Sequence, residues 1–388
     1  MKLEKDYCIQ SYFGTDYLMP IGQSIGDFKK GLKLNETSSF LVKLLREERN
    51  FEEIVGAFTE RYEIEANEKE MVCRDLKGIT DQLIQAGYVT EGERWEEGGD
   101  RKSEFRIGPF QITVDGPENF LHDFLKPFRM DDTDGIKGHQ TVVLTGKRQM
   151  KHRNGTVLIR NEELLLMDTG ERYVFLFPKI REINELHVKK DGEKAVCYYN
   201  FCGEENVPEL REEIFHAMRF AFLILAERHH VYAVHSASIL YRERAWLFSG
   251  QSGTGKSTHT ALWKKNFGTP FLNGDLNLIG IEEGRPVVYG IPWCGTSETY
   301  VKENYLLGGI VFLRQAQYDK ADEPEKDEAA VLVMNRMIYP AWTEETLEEA
   351  GGFAEKVVET AGIYRLRCTK NDSAAEVMKE KIDQKKGK

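Results

Sequence analysis

Apolar residues recur at helical spacing in three segments near the start of the chain, which predicts three amphipathic helices. The first helix is expected to begin after Asn35, the second to cover residues 51–61 and the third residues 68–85. Short alternating runs separated by Gly, Asp and Pro precede them, between Tyr7 and Lys33, and predict short strands. Strands followed by three helices and a closing strand predict a winged-helix domain over residues 1–92.

The pattern changes after a charged, glycine-containing stretch, EGERWEEGGDRKS, and residues 93–104, which begin inside this stretch, are predicted to be a linker. Residues 105–207 then alternate in short runs with turns between them, which predicts a β-rich middle domain with one helical piece near residues 118–128. Its histidines, His139, His152 and His187, are isolated and suit surface or packed positions better than a metal site.

The last part of the chain mixes both patterns and predicts an α/β domain over residues 208–388. A helix is expected at 209–228, followed by strands at 231–240 and 245–249 joined by a tight turn, and by an apolar strand at 271–279. Further on, we expect a strand at 308–314, a charged loop at 320–327, a helix at 344–360, a strand at 364–368, and a last helix before a basic tail. The predicted fold class is therefore α+β with several domains.

Composition narrows the function classes. The chain has 388 residues, and its hydrophobic content of 41% is typical of globular domains. Its net charge of −11 argues against a broad surface that binds nucleic acid. The six cysteines show no regular spacing, no signal segment is visible at the start, and the longest strongly apolar run, 220–226, is too short to span a bilayer. We expect a cytoplasmic protein with reduced thiols that binds neither nucleic acid nor membrane.

The most informative motif is a G-x-x-x-x-G-K-[ST] pattern between a predicted strand and a predicted helix that begins near Thr258. Its glycines let backbone N–H groups turn towards phosphate oxygens, Lys256 would reach the β- and γ-phosphates, and the Ser257 hydroxyl would hold Mg²⁺. We therefore predict an ATP site with Mg²⁺, made by Gly250, Ser252, Gly253, Thr254, Gly255, Lys256, Ser257 and Thr258. The alternative is a glycine-rich turn, or a nucleotide site without chemistry.

Two further residues are candidates for chemistry. Asp275 interrupts an otherwise apolar strand, where a buried carboxylate needs a partner, so it is predicted to bind Mg²⁺ or to accept a hydroxyl proton. His235 lies one hairpin before the glycine-rich motif and could contact a phosphate oxygen; a hydrogen-bonded core histidine is the alternative.

The first ninety or so residues resemble the PqqD-like family of leader-peptide recognition domains. The resemblance covers roughly Cys8 to Thr90 and rests on Leu34-Asn35-Glu36-Thr37 and on the closing Leu83…Gly87-Tyr88-Val89. It implies that a leader peptide adds as a strand to the small sheet, near residues 12–21, and packs on the third helix. The alternative is a winged helix that binds nucleic acid or serves only for packing, and the acidic surface of this segment disfavours nucleic-acid binding.

Residues 231–317 resemble the HPr kinase/phosphorylase group and its phosphoenolpyruvate-carboxykinase-like relatives. The resemblance implies that His235 is the active-site histidine, Lys256 and Ser257 the phosphate-loop pair, and Asp275 the general base and a metal contact. The family usually has two consecutive aspartates here, whereas this chain has Gly274 before Asp275. The loop 289–297 would line the acceptor site, with Cys294 as loop structure, and the nearest further metal candidates are Glu298 and Glu303.

Together, the two resemblances imply a kinase that phosphorylates Ser or Thr of a ribosomally made precursor peptide held through its leader. The alternatives are a kinase of a small molecule such as free serine, a carboxykinase-like transfer, or a leader-peptide chaperone switched by nucleotide. The sequence leaves the oligomeric state open, a homo-oligomer included.

Overall fold

The structure, a computed structural model, describes residues 1–4, 6–26, 29–47, 49, 51–65, 68–90, 102–117, 120–146, 155–200 and 207–384. The chain divides into two compact units, Met1–Glu96 and Glu97–Lys388, and is α+β in class. Residues 93–101 of the predicted linker lie outside the described residues, whereas 102–104 begin a strand of the second unit. The boundary predicted at residue 207 falls within that second unit.

The first unit begins with short strands and continues with helices, in the predicted order. Its elements are β1 (Lys2–Leu3), β2 (Tyr7–Tyr12), β3 (Thr15–Pro20), α1 (Gln23–Gly26), β4 (Leu32–Lys33), α2 (Glu36–Leu44), α3 (Phe51–Tyr62), α4 (Lys69–Gln85) and β5 (Val89–Thr90). Strands β2, β3 and β4 pair in that order, and β1 pairs with β5. The three predicted helices are confirmed, and the Asn35 side chain caps α2 by accepting a hydrogen bond from Ser38 N at 2.8 Å.

The core of the first unit is formed by the apolar faces of its helices. Leu41 on α2, Ile54 and Phe58 on α3 and Leu76 on α4 are almost completely buried, together with Leu18 of β3. The helical spacing seen in the sequence therefore marks the buried sides of all three helices.

The second unit opens with a mainly antiparallel sheet. Its first elements are β6 (Lys102–Ile107), β7 (Phe110–Asp115), α5 (His122–Leu125), a 3-10 turn (Lys126–Phe128), β8 (Gly138–Thr145), β9 (Thr156–Arg160), β10 (Leu165–Asp168), β11 (Arg172–Leu176), β12 (Ile183–Lys189) and β13 (Lys194–Tyr199). The strand order is β6-β7-β8-β13-β12-β11-β10-β9, with β9 at one edge. His187 is buried beside Glu185 and Arg172, His139 is exposed, and His152 lies outside the described residues.

The elements after this sheet include the predicted α/β region. They are α6 (Val207–Arg228), β14 (Tyr232–Tyr241), β15 (Arg244–Ser249), α7 (Lys256–Phe267), β16 (Phe271–Asn273), β17 (Leu276–Glu282), β18 (Arg285–Tyr289), a 3-10 turn (Gly295–Ser297), β19 (Tyr305–Gln315), β20 (Lys320–Asp322), α8 (Lys326–Met334), β21 (Met337–Ile338), α9 (Glu344–Thr360), β22 (Gly362–Cys368) and α10 (Asp372–Gln384). The strand order is β15-β14-β17-β18-β19-β22-β20, and β15 also pairs in parallel with β19.

Helix α6 joins the two sheets of the second unit into one core. Its apolar residues, such as Ile214 and Phe222, share a single buried cluster with β7 and β12 of the first sheet and with β17 and β18 of the second. Nε1 of Trp293 donates to the carbonyl of Phe215 at 3.0 Å, which fixes the helix against the segment that follows β18. The β-rich and α/β parts that were predicted as separate domains therefore bury a common interior.

Two predicted elements differ from the structure. The strand expected at 271–279 is interrupted between β16 and β17, because Oδ1 of Asn273 accepts the N–H groups of Asp275 and Leu276 at 3.0 and 3.1 Å. The loop expected at 320–327 contains β20 and the start of α8. The charge of Asp322 is paired, since this residue accepts hydrogen bonds at 2.8 Å from both Arg365 and Arg367 of the neighbouring strand.

Among the described residues, no helix combines the length and the apolar character that crossing a membrane requires.

Candidate functional site

The glycine-rich loop connects β15 to α7, and its glycines stand where other residues would not fit. Gly253 and Gly255 have positive φ angles of 77° and 103°, in the left-handed region. At Gly250, an added Cβ would lie 2.5 Å from the Thr254 hydroxyl oxygen and 3.1 Å from the Leu313 carbonyl oxygen. The motif is therefore required by the backbone itself at three positions.

Hydrogen bonds hold this loop at the N-terminus of α7. The Thr254 hydroxyl donates to the carbonyl of Gln251 at 2.7 Å, and Nε2 of Gln315, at the end of β19, donates to the carbonyl of Gly253 at 2.9 Å. The helix begins at Lys256, slightly before the predicted start, while Ser252, Ser257 and Thr258 are exposed. The free N–H groups of this first helical turn, and its dipole, favour an anion.

His235 and Asp275 lie side by side, as two strands bring them together. Nε2 of His235, on β14, is 3.1 Å from Oδ1 of Asp275, which occupies the turn between β16 and β17. Backbone bonds support both residues. The N–H of His235 donates to the carbonyl of Arg336, and the Asp275 carbonyl accepts from the N–H of Ser236, each at 2.9 Å.

Positive charge surrounds the Asp275 carboxylate. The hydrogen bond from His235, and the charges of Arg219 and Lys256, hold the pKa of Asp275 below its usual value although burial opposes them. Burial lowers the pKa of Lys256, which the charge of Asp275 partly offsets and that of Arg336 reinforces. The structure thus brings together three predicted residues, His235, Lys256 and Asp275, in one electrostatic cluster.

Two arginines of this cluster were not predicted from the sequence. Arg219 lies on α6, where burial lowers its pKa and Asp275 opposes that shift. A single charged residue between Met218 and Phe220 on an apolar helix was the available signal. Arg336 follows α8 and lies near the site because β14 pairs with the short strand β21. This pairing joins distant segments, so no local sequence pattern predicts it.

A buried polar network fixes the turn that carries Asp275. The amide group of Asn273 donates to the Trp293 carbonyl at 3.0 Å, while its backbone N–H donates to the Ser238 hydroxyl at 3.0 Å. The same hydroxyl donates to Oδ1 of Asn277 at 2.6 Å. Since these groups are buried and mutually satisfied, they position Asp275 rigidly.

The segment that follows β18 lies directly on this turn. Gly295 has a φ of 61°, and a Cβ added there would be 2.8 Å from Cβ of Asp275. At Gly274, an added Cβ would lie 2.1 Å from the hydroxyl oxygen of Ser297. Gly274 is therefore required by close packing, and Ser297 occupies the space that a side chain at this position would need.

Further metal and nucleophile candidates are not gathered into a site. Glu298 and Glu303 are exposed, and the described part of the chain contains no group of three His, Cys, Asp or Glu side chains placed to hold a metal ion. Cys294 is buried, and burial raises the pKa of its thiol, which suits loop structure rather than a reactive thiolate.

Comparison with known proteins places the N-terminal part of the chain. Residues 22–89 match the family model described as coenzyme PQQ synthesis protein D (PqqD), so this stretch is a PqqD-like domain, as its sequence predicted. Similar solved structures include the Hpr(Ser) kinase/phosphatase from Coxiella burnetii, at 10% identity over 40% of this chain and 98% of that chain, with a TM-score of 0.22. A score of that size does not establish a shared fold. No curated protein shows significant similarity.

Proposed function

We propose that this protein is an ATP-dependent kinase that phosphorylates a Ser or Thr hydroxyl of a ribosomally made precursor peptide. The observation that carries the proposal is the 3.1 Å contact between His235 and Asp275, together with the charge of Lys256, at the end of the glycine-rich loop, which acts on the same carboxylate. Phosphoryl transfer requires positioning and charge compensation more than covalent chemistry, and this cluster offers both.

The glycine-rich loop would hold the triphosphate. The residues assigned to it are Gly250, Ser252, Gly253, Thr254, Gly255, Lys256, Ser257 and Thr258. Ser252, Gly253, Ser257 and Thr258 are exposed beside the N-terminus of α7, where backbone N–H groups can donate to phosphate oxygens, and Lys256 would offset the charge of the transferred phosphoryl group.

Asp275 would accept the proton of the acceptor hydroxyl. As the acceptor oxygen bonds to the γ-phosphorus, the bond from that phosphorus to the bridging oxygen of ADP breaks, and the hydroxyl proton passes to the carboxylate. The lowered pKa keeps Asp275 ionised at neutral pH, and His235 orients it through the 3.1 Å contact. His235 would also contact a phosphate oxygen.

Ser257 and Asp275 would hold Mg²⁺ together with the phosphates. A hydroxyl and an ionised carboxylate are oxygen ligands that Mg²⁺ accepts, and Mg²⁺ commonly takes only one or two protein groups at nucleotide sites. The ion supplies compensation of negative charge on the phosphate oxygens.

Leader binding is assigned to the PqqD-like domain. In the structure, β3 is the central strand of its small sheet, so the edges open to an added strand are those of β2 and β4 rather than the whole of residues 12–21. Met71 on α4 is 57% exposed and offers an apolar contact on the third helix. We assign residues 1–92 to recognition, 105–207 to support of the site and 208–388 to chemistry, in a cytoplasmic enzyme.

The test is intact-mass analysis of precursor peptides encoded beside this protein, incubated with the full chain, ATP and Mg²⁺. A gain of one phosphate is expected. Lys256→Ala and Asp275→Asn should each lower the rate by roughly a thousandfold or more, while leader affinity, measured by fluorescence anisotropy, stays near that of the parent protein.

Matched controls are available on the same or a neighbouring helix. Lys264→Ala changes an exposed lysine of α7, and Asp327→Asn changes an exposed aspartate of α8, so both should leave the rate unchanged. Tight leader binding without any phosphate transfer would reject the kinase and favour a nucleotide-switched chaperone. Loss of leader binding in the two site variants would reject the proposed division of labour.

A further inference from the structure

An apolar cavity of about 420 Å³ opens beside the His235–Asp275 pair, within the second unit. Four parts of the unit line it: the segment of β9 to β11 of the β-rich sheet, helix α6, strand β14 with the turn that leads into β17, and the segment from Ile338 to Trp342. Its apolar lining includes Ile159, Leu166, Phe175, Phe220, Ile338 and Trp342. The β-rich sheet, whose sequence carries no obvious chemistry, therefore forms one wall of a space that reaches the proposed catalytic pair.

The wall of this cavity is rigid. Phe175 is 2% exposed, and its ring lies 5.6 Å from that of Phe220 on α6. Trp342 packs edge-on against Tyr173 at 4.4 Å between ring centroids. Because these side chains are held by the core beneath them, the cavity is formed before any ligand arrives, which lowers the entropy lost on binding.

Polar groups are concentrated at one place in the lining. Arg219, His235 and Asp275 border the cavity, whereas most of the other lining side chains are aliphatic or aromatic. A ligand that fits this arrangement has a large apolar group and, close to it, a polar group that reaches Asp275. A peptide with a bulky apolar residue next to a Ser or Thr meets both requirements.

We propose that this cavity binds a large apolar side chain of the acceptor peptide, adjacent to the residue that receives the phosphate. The inference rests on the proposed kinase function and specifies its substrate. The PqqD-like domain on the same chain favours a peptide as the occupant over a small molecule. The β-rich sheet then has a function of its own, since it supplies one wall of a specificity pocket.

The experiment uses the full chain with ATP, Mg²⁺ and synthetic peptides that contain one Ser, flanked on either side by Phe, Leu, Ala or Asp. We expect kcat/KM to be about 10- to 100-fold higher for Phe or Leu than for Ala on one side of the Ser, with Asp lowest. Ile338→Trp, which fills the cavity from a side chain that is 42% exposed, should remove this preference.

The matched control is Leu347→Trp, because Leu347 on α9 is 49% exposed and does not line the cavity. It should keep the preference for apolar neighbours. A second variant, Ile159→Glu, places a carboxylate in the pocket from the edge strand β9 and should shift the preference from Phe to Lys. The two variants lie on different strands, β21 and β9, so failure of one to fold leaves the other as the test.

The outcomes separate the two proposals. Phosphorylation that is equally fast whatever residue flanks the Ser would overturn the pocket assignment and leave the kinase standing. No phosphorylation of any peptide, including the encoded precursors, would reject the proposed function itself. A preference that persists in both Ile338→Trp and Ile159→Glu would place the specificity elsewhere in the molecule.

Discussion

The ionised form of Asp275 is stabilised from three different elements of the second unit: by a hydrogen bond from His235 on β14, and by the charges of Arg219 on α6 and Lys256 at the start of α7. Of these, the hydrogen bond from His235 contributes most to the lowered pKa of the carboxyl. Loss of this bond should therefore matter most in acid, where the ionised form of Asp275 is hardest to maintain.

We predict that His235→Ala raises the pKa of Asp275, since burial of the carboxyl then meets less opposition. If ionised Asp275 is required for transfer, the acid limb of the profile of kcat/KM against pH moves to higher pH. Rates of the variant and the parent protein measured across the acid range test this shift. His139→Ala changes an exposed histidine of β8 and serves as the control with an unshifted limb. An acid limb in the same place for His235→Ala would separate Asp275 from the proton transfer.

His259 gives a second prediction, which concerns stability rather than activity. It is 2% exposed on α7 and stacks on Phe248 at 5.7 Å, and neither ring nitrogen has a hydrogen-bond partner among the described residues. Burial lowers the pKa of His259 to about 4. Because the unfolded chain binds the proton more readily, stability is full above the ordinary histidine pKa and falls as pH decreases towards the folded value.

His259→Phe should remove this part of the acid sensitivity while keeping the stacking on Phe248. Between about pH 7.5 and about pH 5, the parent protein should lose roughly 2 kcal/mol more than the variant in free energy of unfolding. Urea titrations at both pH values measure the difference, with His139→Phe as an exposed control. Equal losses in His259→Phe and the parent protein would mean that His259 is not held neutral by burial.

The candidate site residues could be predicted where they belong to a sequence motif or where a charged residue stands among apolar neighbours. Lys256 belongs to a pattern with a known phosphate geometry, and Asp275 stands out as a carboxylate among apolar neighbours. Arg219 and Arg336 were not predicted, because each reaches the site through tertiary packing and neither belongs to a motif. The apolar cavity beside them involves side chains from β9 to residue 342 and has no signature in any single segment.

At the scale of elements, the turn at Gly274 shows how closely two segments approach. An added Cβ would be 2.1 Å from the Ser297 hydroxyl oxygen and 2.3 Å from its Cβ. We therefore predict that Gly274→Ala destabilises the second unit by about 1–3 kcal/mol, as expected for overpacking. Ser297→Gly in the same chain should recover part of that loss, and thermal unfolding of the single and double variants measures the coupling.

The control for this cycle is Gly352→Ala, in the interior of helix α9, where an added Cβ meets nothing within 4 Å. It should raise stability by about 0.5–1 kcal/mol, since alanine loses less backbone entropy in a helix. Additive effects of Gly274→Ala and Ser297→Gly would show that the two segments are not in the contact described.

Helices and strands were predicted well where residues close in sequence determine them, and less well where distant segments do. The spacing of apolar residues located α2, α3, α4, α6 and α9, and for α9 the predicted bounds match the observed Glu344–Thr360. The break between β16 and β17 depends on the Asn273 side chain, which competes for the backbone N–H groups that would continue the strand. Strand β20 was missed because the charge of its Asp322 is neutralised by Arg365 and Arg367 of β22, a pairing between distant segments.

At the scale of the molecule, the division into parts was harder to predict than the parts themselves. The alternating pattern of residues 105–207 indicates a β-rich segment, and the structure has one there. Helix α6 packs against this sheet and against the strands of the α/β region, and neither contact could be predicted from the sequence. The apolar stripe of a helix shows that one face is buried, but it does not show which element covers that face. The parallel pairing of β15 with β19 is likewise a long-range contact.

The last prediction concerns the two units together. If residues 1–92 hold the leader, they raise the local concentration of an acceptor that the site itself binds weakly, so their removal should lower kcat/KM for a leader-bearing precursor by about 10²- to 10⁴-fold. A short acceptor peptide without leader should react at the same rate with the full chain and with residues 93–388, because its reaction never uses the tether. Initial rates of both substrates with both proteins test this, and circular dichroism confirms that the shortened chain is folded. An equal fall for the two substrates would mean that the first unit supports the site itself, and no fall for either would remove the leader from the mechanism and favour a small-molecule acceptor.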